Sequence, residues 1–143
     1  MTVARILATK GRDVVTAQPH RTLNEVAKIL SDKGIGAIVV TGANGEVLGI
    51  ISERDIVRAV ARLGAPALDH AVSRHMTAKV VTTHEKATVD SLMETMTAGR
   101  FRHVPVVENG RLVGLISIGD AVKHYVAEIE TEQRALKEYI ASA

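Results

Sequence analysis

The chain of 143 residues contains no cysteine and no tryptophan, and its only phenyl or phenol rings are Phe101, Tyr125 and Tyr139. Without cysteine there are no disulfides, no thiolate metal sites and no cysteine nucleophile. With so few rings, any core must be aliphatic, and an apolar content of 46% supplies enough Val, Ile, Leu, Ala and Met to build one. No stretch approaches the roughly 18 apolar residues that a membrane span needs. The opening "MTVARILATKGRD" is a short amphipathic segment without the apolar run and small-residue cleavage site of a signal peptide, so a cytoplasmic protein is expected. Concentrated charge is missing too. Eighteen Lys and Arg against 16 Asp and Glu leave a net +2, scattered without a basic block. Non-specific nucleic-acid binding leans on clustered cations, so no nucleic-acid partner is expected. Metal motifs are also absent: His70 and His75 are five apart, not on one helical face, and neither they nor His84 sit in a ligating pattern.

What is present is a repeat. Residues 14–60 align with 80–125 at an offset of 66 up to a hairpin, where Val14, Thr16 and Thr22 meet Val80, Thr82 and Thr88. Beyond the hairpin the offset is 65, where Asn44, Gly45, Gly49, Ser52 and Asp55 meet Asn109, Gly110, Gly114, Ser117 and Asp120. Two copies are too few to stack as a solenoid, so the pattern predicts two modules.

The grammar within a copy is β-α-β-β-α. "DVVT" or "KVVT" opens it as a strand ended by Thr16 or Thr82. Thr22 and Thr88 are helix N-caps by type and position, and Glu25 completes a capping-box pattern in the first copy. Leu23, Val26, Ala27 and Leu30, like Val89, Leu92, Met93 and Met96, recur at helical spacing, and Gly34 and Gly99 fall where those helices should stop. Two apolar runs around Asn-Gly then predict a hairpin. Pro105 lacks a ladder donor, which places it at an edge or where backbone faces a ligand. A Ser-x-x-Asp step leads into the last helix of each copy. The linker "RLGAPALDHAVSRHMTA" predicts a short helix over about 68–75. The final "DAVKHYVAEIETEQRALKEYIASA" predicts a long amphipathic helix whose last turns pack either back on the pair or, the favoured reading, on a partner in a dimer. The boundaries are 1–66 for the first motif with an N-terminal helical extension, and 67–143 for the second with a linker helix and the long C-terminal helix.

The βαββα order, the Asn-Gly hairpins, "GIISERD" and "GLISIGD", the "RFRHVPVV" strand and the "HMTAKVVT" entry resemble the CBS domain pair, or Bateman module, over nearly the whole chain. The resemblance implies an α+β fold of two tandem motifs related by a pseudo-two-fold axis, forming disc-like homodimers of pairs. It implies regulatory binding of AMP, ADP, ATP, NAD(H) or S-adenosylmethionine in two clefts between the copies, and no catalysis. Nothing in the sequence supplies a nucleophile–base pair or a P-loop. A structural or protein-interaction module with degenerate ligand sites, or one that binds nucleic acid, is the alternative, and the presence of Ser-x-x-Asp in both copies argues against degeneracy.

Asp55 and Asp120 each stand three residues after a serine at a helix start, where capping alone accounts for them. A carboxylate there can also accept from both ribose hydroxyls, and the resemblance implies that role, with Ser52 and Ser117 bonding ribose or phosphate. Arg54 is a cation at the positive end of a helix, which favours a phosphate-facing role; Gly119 replaces it in the second copy. Read as a strand, "RFRH" puts Arg100 and Arg102 on one face and Phe101 and His103 on the other. The resemblance sets Arg102 and His103 against phosphate, where the first copy has only Gly36 and Ala37. The implied pockets are therefore composite. One joins Ser52, Arg54 and Asp55 to Thr82, Arg102 and His103, with Pro105 nearby. The other joins Ser117 and Asp120 to Thr16, Ala37 and Ile38, and is expected to be less cationic and roomier.

Overall fold

A computed structural model describes residues 1–142. In chain order it contains α1 (Val3–Lys10), β1 (Thr16–Ala17), α2 (Leu23–Lys33), β2 (Ala37–Thr41), β3 (Val47–Ser52), α3 (Glu53–Leu63), α4 (Val89–Gly99), β4 (His103–Glu108), β5 (Arg111–Ser117) and α5 (Ile118–Ser142). The fold is α+β, two βαββα motifs in tandem.

The local signals act as read at several points. Thr22 Oγ1 accepts from the Glu25 N–H at 3.1 Å, and Thr88 Oγ1 accepts from the Ser91 N–H at 3.1 Å. The Glu25 carboxylate in turn accepts from the Arg21 guanidinium at 2.9 Å and from the Thr22 hydroxyl at 3.3 Å. In the second hairpin Asn109 and Gly110 both take positive φ, 51° and 76°, the geometry of a two-residue reverse turn. β2 pairs with β3, and β4 with β5, antiparallel; each ladder slips by one residue, between Val40 and Thr41 and between Val106 and Val107. The repeat thus extends to matching bulges.

Four expectations change. In the first motif β1 pairs parallel with β2, Thr16 opposite Val39, so Thr16 begins the strand and does not end it. In the second motif the opening strand shrinks to a single parallel bridge, Thr83 to Val106. Pro105 stands where Val39 stands in the first motif, and with no N–H it cannot extend that ladder toward Thr82. The linker forms two 3₁₀ turns, Ala65–Asp69 and Val72–Arg74, in place of one helix. His70 and Ala71 between them are extended because the His70 carbonyl accepts from Leu23 N–H and the Val72 N–H reaches the Arg21 carbonyl. Finally, α4 runs through Gly99, and Arg100 takes the left-handed position at φ 56°. At Gly99 the missing side chain makes room for Phe101, whose ring would have to turn aside from an added Cβ.

Two aliphatic cores result. The first gathers Leu23, Val26, Ile38, Val40, Ile51 and Ile56, and the linker adds Ala67 and Val72. The second gathers Val89, Leu92, Met96, Val104, Val106 and Ile116, and α1 adds Val3, Ile6 and Leu7. The segment that precedes each motif therefore packs on the other one. The exchange is reciprocal in its hydrogen bonds. Val3 N–H and the Met1 carbonyl bond to Ala87 and Val89, as Val72 N–H and the His70 carbonyl bond to Arg21 and Leu23. These segments correspond at an offset of 69 (Val3 with Val72), three more than the motifs that they precede.

Candidate functional site

The Ser-x-x-Asp step builds the first wall. β3 ends at Ser52 and α3 begins at Glu53, so Asp55 falls in the first turn and faces back to the serine. The Asp55 N–H donates to Ser52 Oγ at 3.2 Å, while Asp55 Oδ2 accepts from Ser52 N–H at 2.9 Å and from its hydroxyl at 3.0 Å. Both serine bonds fall on one oxygen, and among the described residues Oδ1 has no partner. Capping and an available acceptor coexist in one carboxylate.

The second motif supplies the facing wall. Because Arg100 turns the chain left-handed, "RFRH" is not a strand and does not sort onto two faces; β4 starts only at His103. All four residues line one cavity of about 440 Å³ together with Ser52, Arg54 and Asp55. Gly36 lies on its floor, and its missing side chain leaves room for His103 Cε1 and the Glu53 carboxylate, 3.7 and 3.8 Å from where a Cβ would stand. Arg58 and Lys79 complete the lining cations, neither singled out by the repeat. Arg58 is one turn beyond Arg54 on α3, a spacing visible in the sequence.

The cavity is positively biased. Arg54, Arg58, Lys79, Arg100 and Arg102 face Glu53 and Asp55, and none of the ion pairs among the described residues uses any of these five cations. His103 titrates below its ordinary range: burial disfavours its charge, the Lys10 ammonium adds to that, and Asp120 and Glu53 only partly oppose it. It stands neutral near pH 7.

Thr82 and Pro105 are not on this wall. Thr82 is exposed beside the bridge, and Pro105 is buried with its carbonyl accepting from Thr83 N–H at 2.9 Å. Val80, Val81 and Thr77, just upstream, line the cavity instead.

The residues expected in the second composite pocket do not share the Asp55 cavity. Ser117 and Asp120 repeat the capping geometry, Ser117 N–H to Asp120 Oδ2 at 2.9 Å and Asp120 N–H to Ser117 Oγ at 3.1 Å. Ala37 and Ile38 are buried in β2, at 3% and 0% exposure, and Thr16 is exposed on β1. Ser117 and Asp120 line neither the cavity at Asp55 nor those beside α2, α3 and Thr41. One cation stands at this corner against five at Asp55: Lys10 of α1 reaches Asp120 Oδ2 at 2.6 Å and also donates to the Leu115 carbonyl. Burial works to raise the Asp120 carboxyl, yet its bonds to Lys10 and Ser117 hold it below the usual aspartate range.

Among the described residues no cluster of three or more His, Cys, Asp or Glu can hold a metal ion, and no helix is long and apolar enough to cross a membrane. His70 and His75 instead pair with each other, Nδ1 to Nε2 at 3.0 Å, with their rings stacked.

Comparison with known proteins agrees with this architecture. The CBS-domain protein ATU1752 from Agrobacterium tumefaciens is 55% identical, with a TM-score of 0.84 over 87% of this chain and 99% of that one. The CBS domain protein PAE2072 from Pyrobaculum aerophilum, complexed with AMP, is 32% identical, with a TM-score of 0.75 over 84% of this chain and 89% of its own. The CBS domain pair of protein MJ0100, in complex with 5-methylthioadenosine and S-adenosyl-L-methionine, is 28% identical, with a TM-score of 0.80 over 90% and 98%. The CBS domain model matches residues 3–62 and again 72–127, and the chain belongs to the CBS domain family as a tandem pair.

Proposed function

We propose that this protein is a cytoplasmic regulatory module that binds an adenine nucleotide, AMP, ADP, ATP or NAD(H), in the cleft at Asp55 and senses energy or redox state. The observation that carries the reading is one cavity holding a carboxylate with an unbonded oxygen and five cations outside any ion pair among the described residues. The carboxylate suits a ribose diol, and the guanidinium groups suit phosphate oxygens. A ligand there touches both motifs, and it shifts their relation by its differential affinity for the two states. PAE2072 with AMP and the MJ0100 pair with two adenosine compounds support an adenosine ligand. S-adenosylmethionine ranks second, since it offers the ribose but no phosphate for the cations. Asp55 and Asp120 act as binding groups, each tied to its own serine, and the reading is non-catalytic.

The working unit in this reading is a homodimer of pairs. Val57 and Val122, at equivalent places on α3 and α5, are 67% and 42% exposed, and Leu136, Tyr139 and Ile140 continue an uncovered apolar face along α5.

A thermal-shift titration with AMP, ATP and NADH tests the function. Ligand at 100 times its dissociation constant stabilises a one-site protein by about 2.7 kcal/mol. A melting temperature unmoved by all three would overturn the nucleotide reading and favour an interaction module.

A further inference from the structure

The two Ser-x-x-Asp corners are alike in backbone and capping but not in what stands over the carboxylate. The segments that cross between motifs match at an offset of 69, by the exchange of Val3 and Val72. Leu7 lies over Gly114 as Met76 lies over Gly49, at the same offset. By that register Lys10 is the counterpart of Lys79. Lys79 lines the open cleft at Asp55 and makes no ion pair among the described residues. Lys10 ends α1, whose Val3, Ile6 and Leu7 are fully buried in the second core, so its Cα is anchored. Its ammonium bonds both Asp120 Oδ2 and the Leu115 carbonyl. One lysine position therefore exists in two settings: idle beside an open cavity, and spent on the carboxylate of the corresponding corner.

We propose that Lys10 is the internal occupant of the Asp120 corner, so that nucleotide fills the Asp55 cleft first and enters at Asp120 only by displacing Lys10. The inference rests on the nucleotide reading for its ligand, but not for the latch itself. A nucleotide entering at Asp120 must break a charge-assisted hydrogen bond and a second bond to backbone before it gains its own. At Asp55 there is no such contact to break. The two sites then differ by tenfold or more in affinity, although the motifs that build them are repeats. Displacement also frees the end of α1, which links filling of the second site to the packing of the N-terminal helix.

The test is isothermal titration of the full chain with ATP and with AMP, in wild type and in Lys10→Met, which keeps the aliphatic stem and leaves the apolar face of α1 intact. Wild type should show one tight event per chain, with any second event at least tenfold weaker. Lys10→Met should tighten the second event by tenfold or more and leave the first within about twofold. Two equal events in wild type, or a second event unmoved or weakened in Lys10→Met, would overturn the proposal. A parallel carboxyl-carbon NMR titration of Asp120 needs no ligand. His103 also feels the Asp120 charge, and it is present in both variants. Asp120 should titrate below the usual range in wild type and move upward in Lys10→Met; equal titration in the two would overturn the latch. If neither variant binds nucleotide while Asp120 moves as expected, the nucleotide reading fails and the latch stands.

Discussion

Gly49 lies directly beneath Met76: a Cβ on Gly49 would stand 2.6 Å from the Met76 sulfur and 2.8 Å from the Thr77 carbonyl oxygen. Ile50 and Thr77 exchange two backbone hydrogen bonds at the same place, 3.0 and 2.9 Å, so the backbone there is not free to withdraw. Gly49→Ala should therefore destabilise by about 1–3 kcal/mol, the range for overpacking. At the equivalent Gly114 the obstructing atoms are only the Cδ carbons and Cγ of Leu7. Those can rotate, so Gly114→Ala should cost less. Thermal unfolding of the two variants checks the order. A larger loss for Gly114→Ala would contradict the packing of the crossing segments.

These glycines show what a single sequence discloses and what it withholds. The caps at Thr22 and Thr88, the Asn-Gly turns and the apolar periods are local, so the repeat and its βαββα order are legible from the residues alone. Ser52 with Asp55, and Ser117 with Asp120, are local in the same way. The exchange of Leu7 and Met76 is not, because the crossing segments run at an offset of 69 while the motifs run at 66. The three added residues, Gly11 to Asp13, hide the equivalence of Lys10 and Lys79 from any alignment made on "VVT". The strand reading of "RFRH" fails for a related reason. Nothing in that tetrapeptide announces that Arg100 takes the left-handed position that Gly34 holds in the first copy at φ 62°. Tertiary placement decides that, and it puts Arg100 and Phe101 in the cleft with Arg102 and His103.

The free Oδ1 of Asp55 makes a directional prediction. Asp55→Ala should weaken AMP or ATP binding roughly 10- to 100-fold, the loss of about 1.5–3 kcal/mol for hydrogen bonds to a charged group. The same change removes half of a capping box and should cost on the order of 1 kcal/mol of stability, so affinities are compared well below the melting temperature. Asp120→Ala should leave the tight event within about twofold. Calorimetry giving equal losses for the two variants would show that the corners are used alike.

Phosphate number should matter because the cleft carries Arg54, Arg58, Lys79, Arg100 and Arg102. Arg102→Ala is expected to reduce ATP affinity about tenfold or more, AMP affinity less, and adenosine affinity hardly at all. Raising salt from about 50 to 500 mM should weaken ATP more than adenosine, since screening acts on the charged contacts. Fluorescence or calorimetric titrations with the three ligands check this. Parallel losses for adenosine and ATP would place Arg102 in the fold and not in phosphate recognition.

His103 gives the pH dependence. Its folded-state titration lies below the ordinary histidine value of about 6.5, first through burial and then through the Lys10 charge. Below the unfolded value the unfolded chain binds more protons than the folded one, so His103 erodes stability as pH falls through about 6.5 and stops doing so below its folded value. His75, also lowered, acts in the same direction, so the His103 share is read as the difference between wild type and His103→Gln. A phosphate bound beside His103 reverses the preference by stabilising the imidazolium. Nucleotide binding should then take up a proton between pH 6 and 7, and ATP affinity should rise by several-fold, at most about tenfold per pH unit for one proton, as pH falls through that range. The binding enthalpy should vary with the ionisation enthalpy of the buffer in wild type. His103→Gln should retain only the part due to the nucleotide's own phosphates. If the two proteins show the same buffer dependence, His103 does not meet the phosphate.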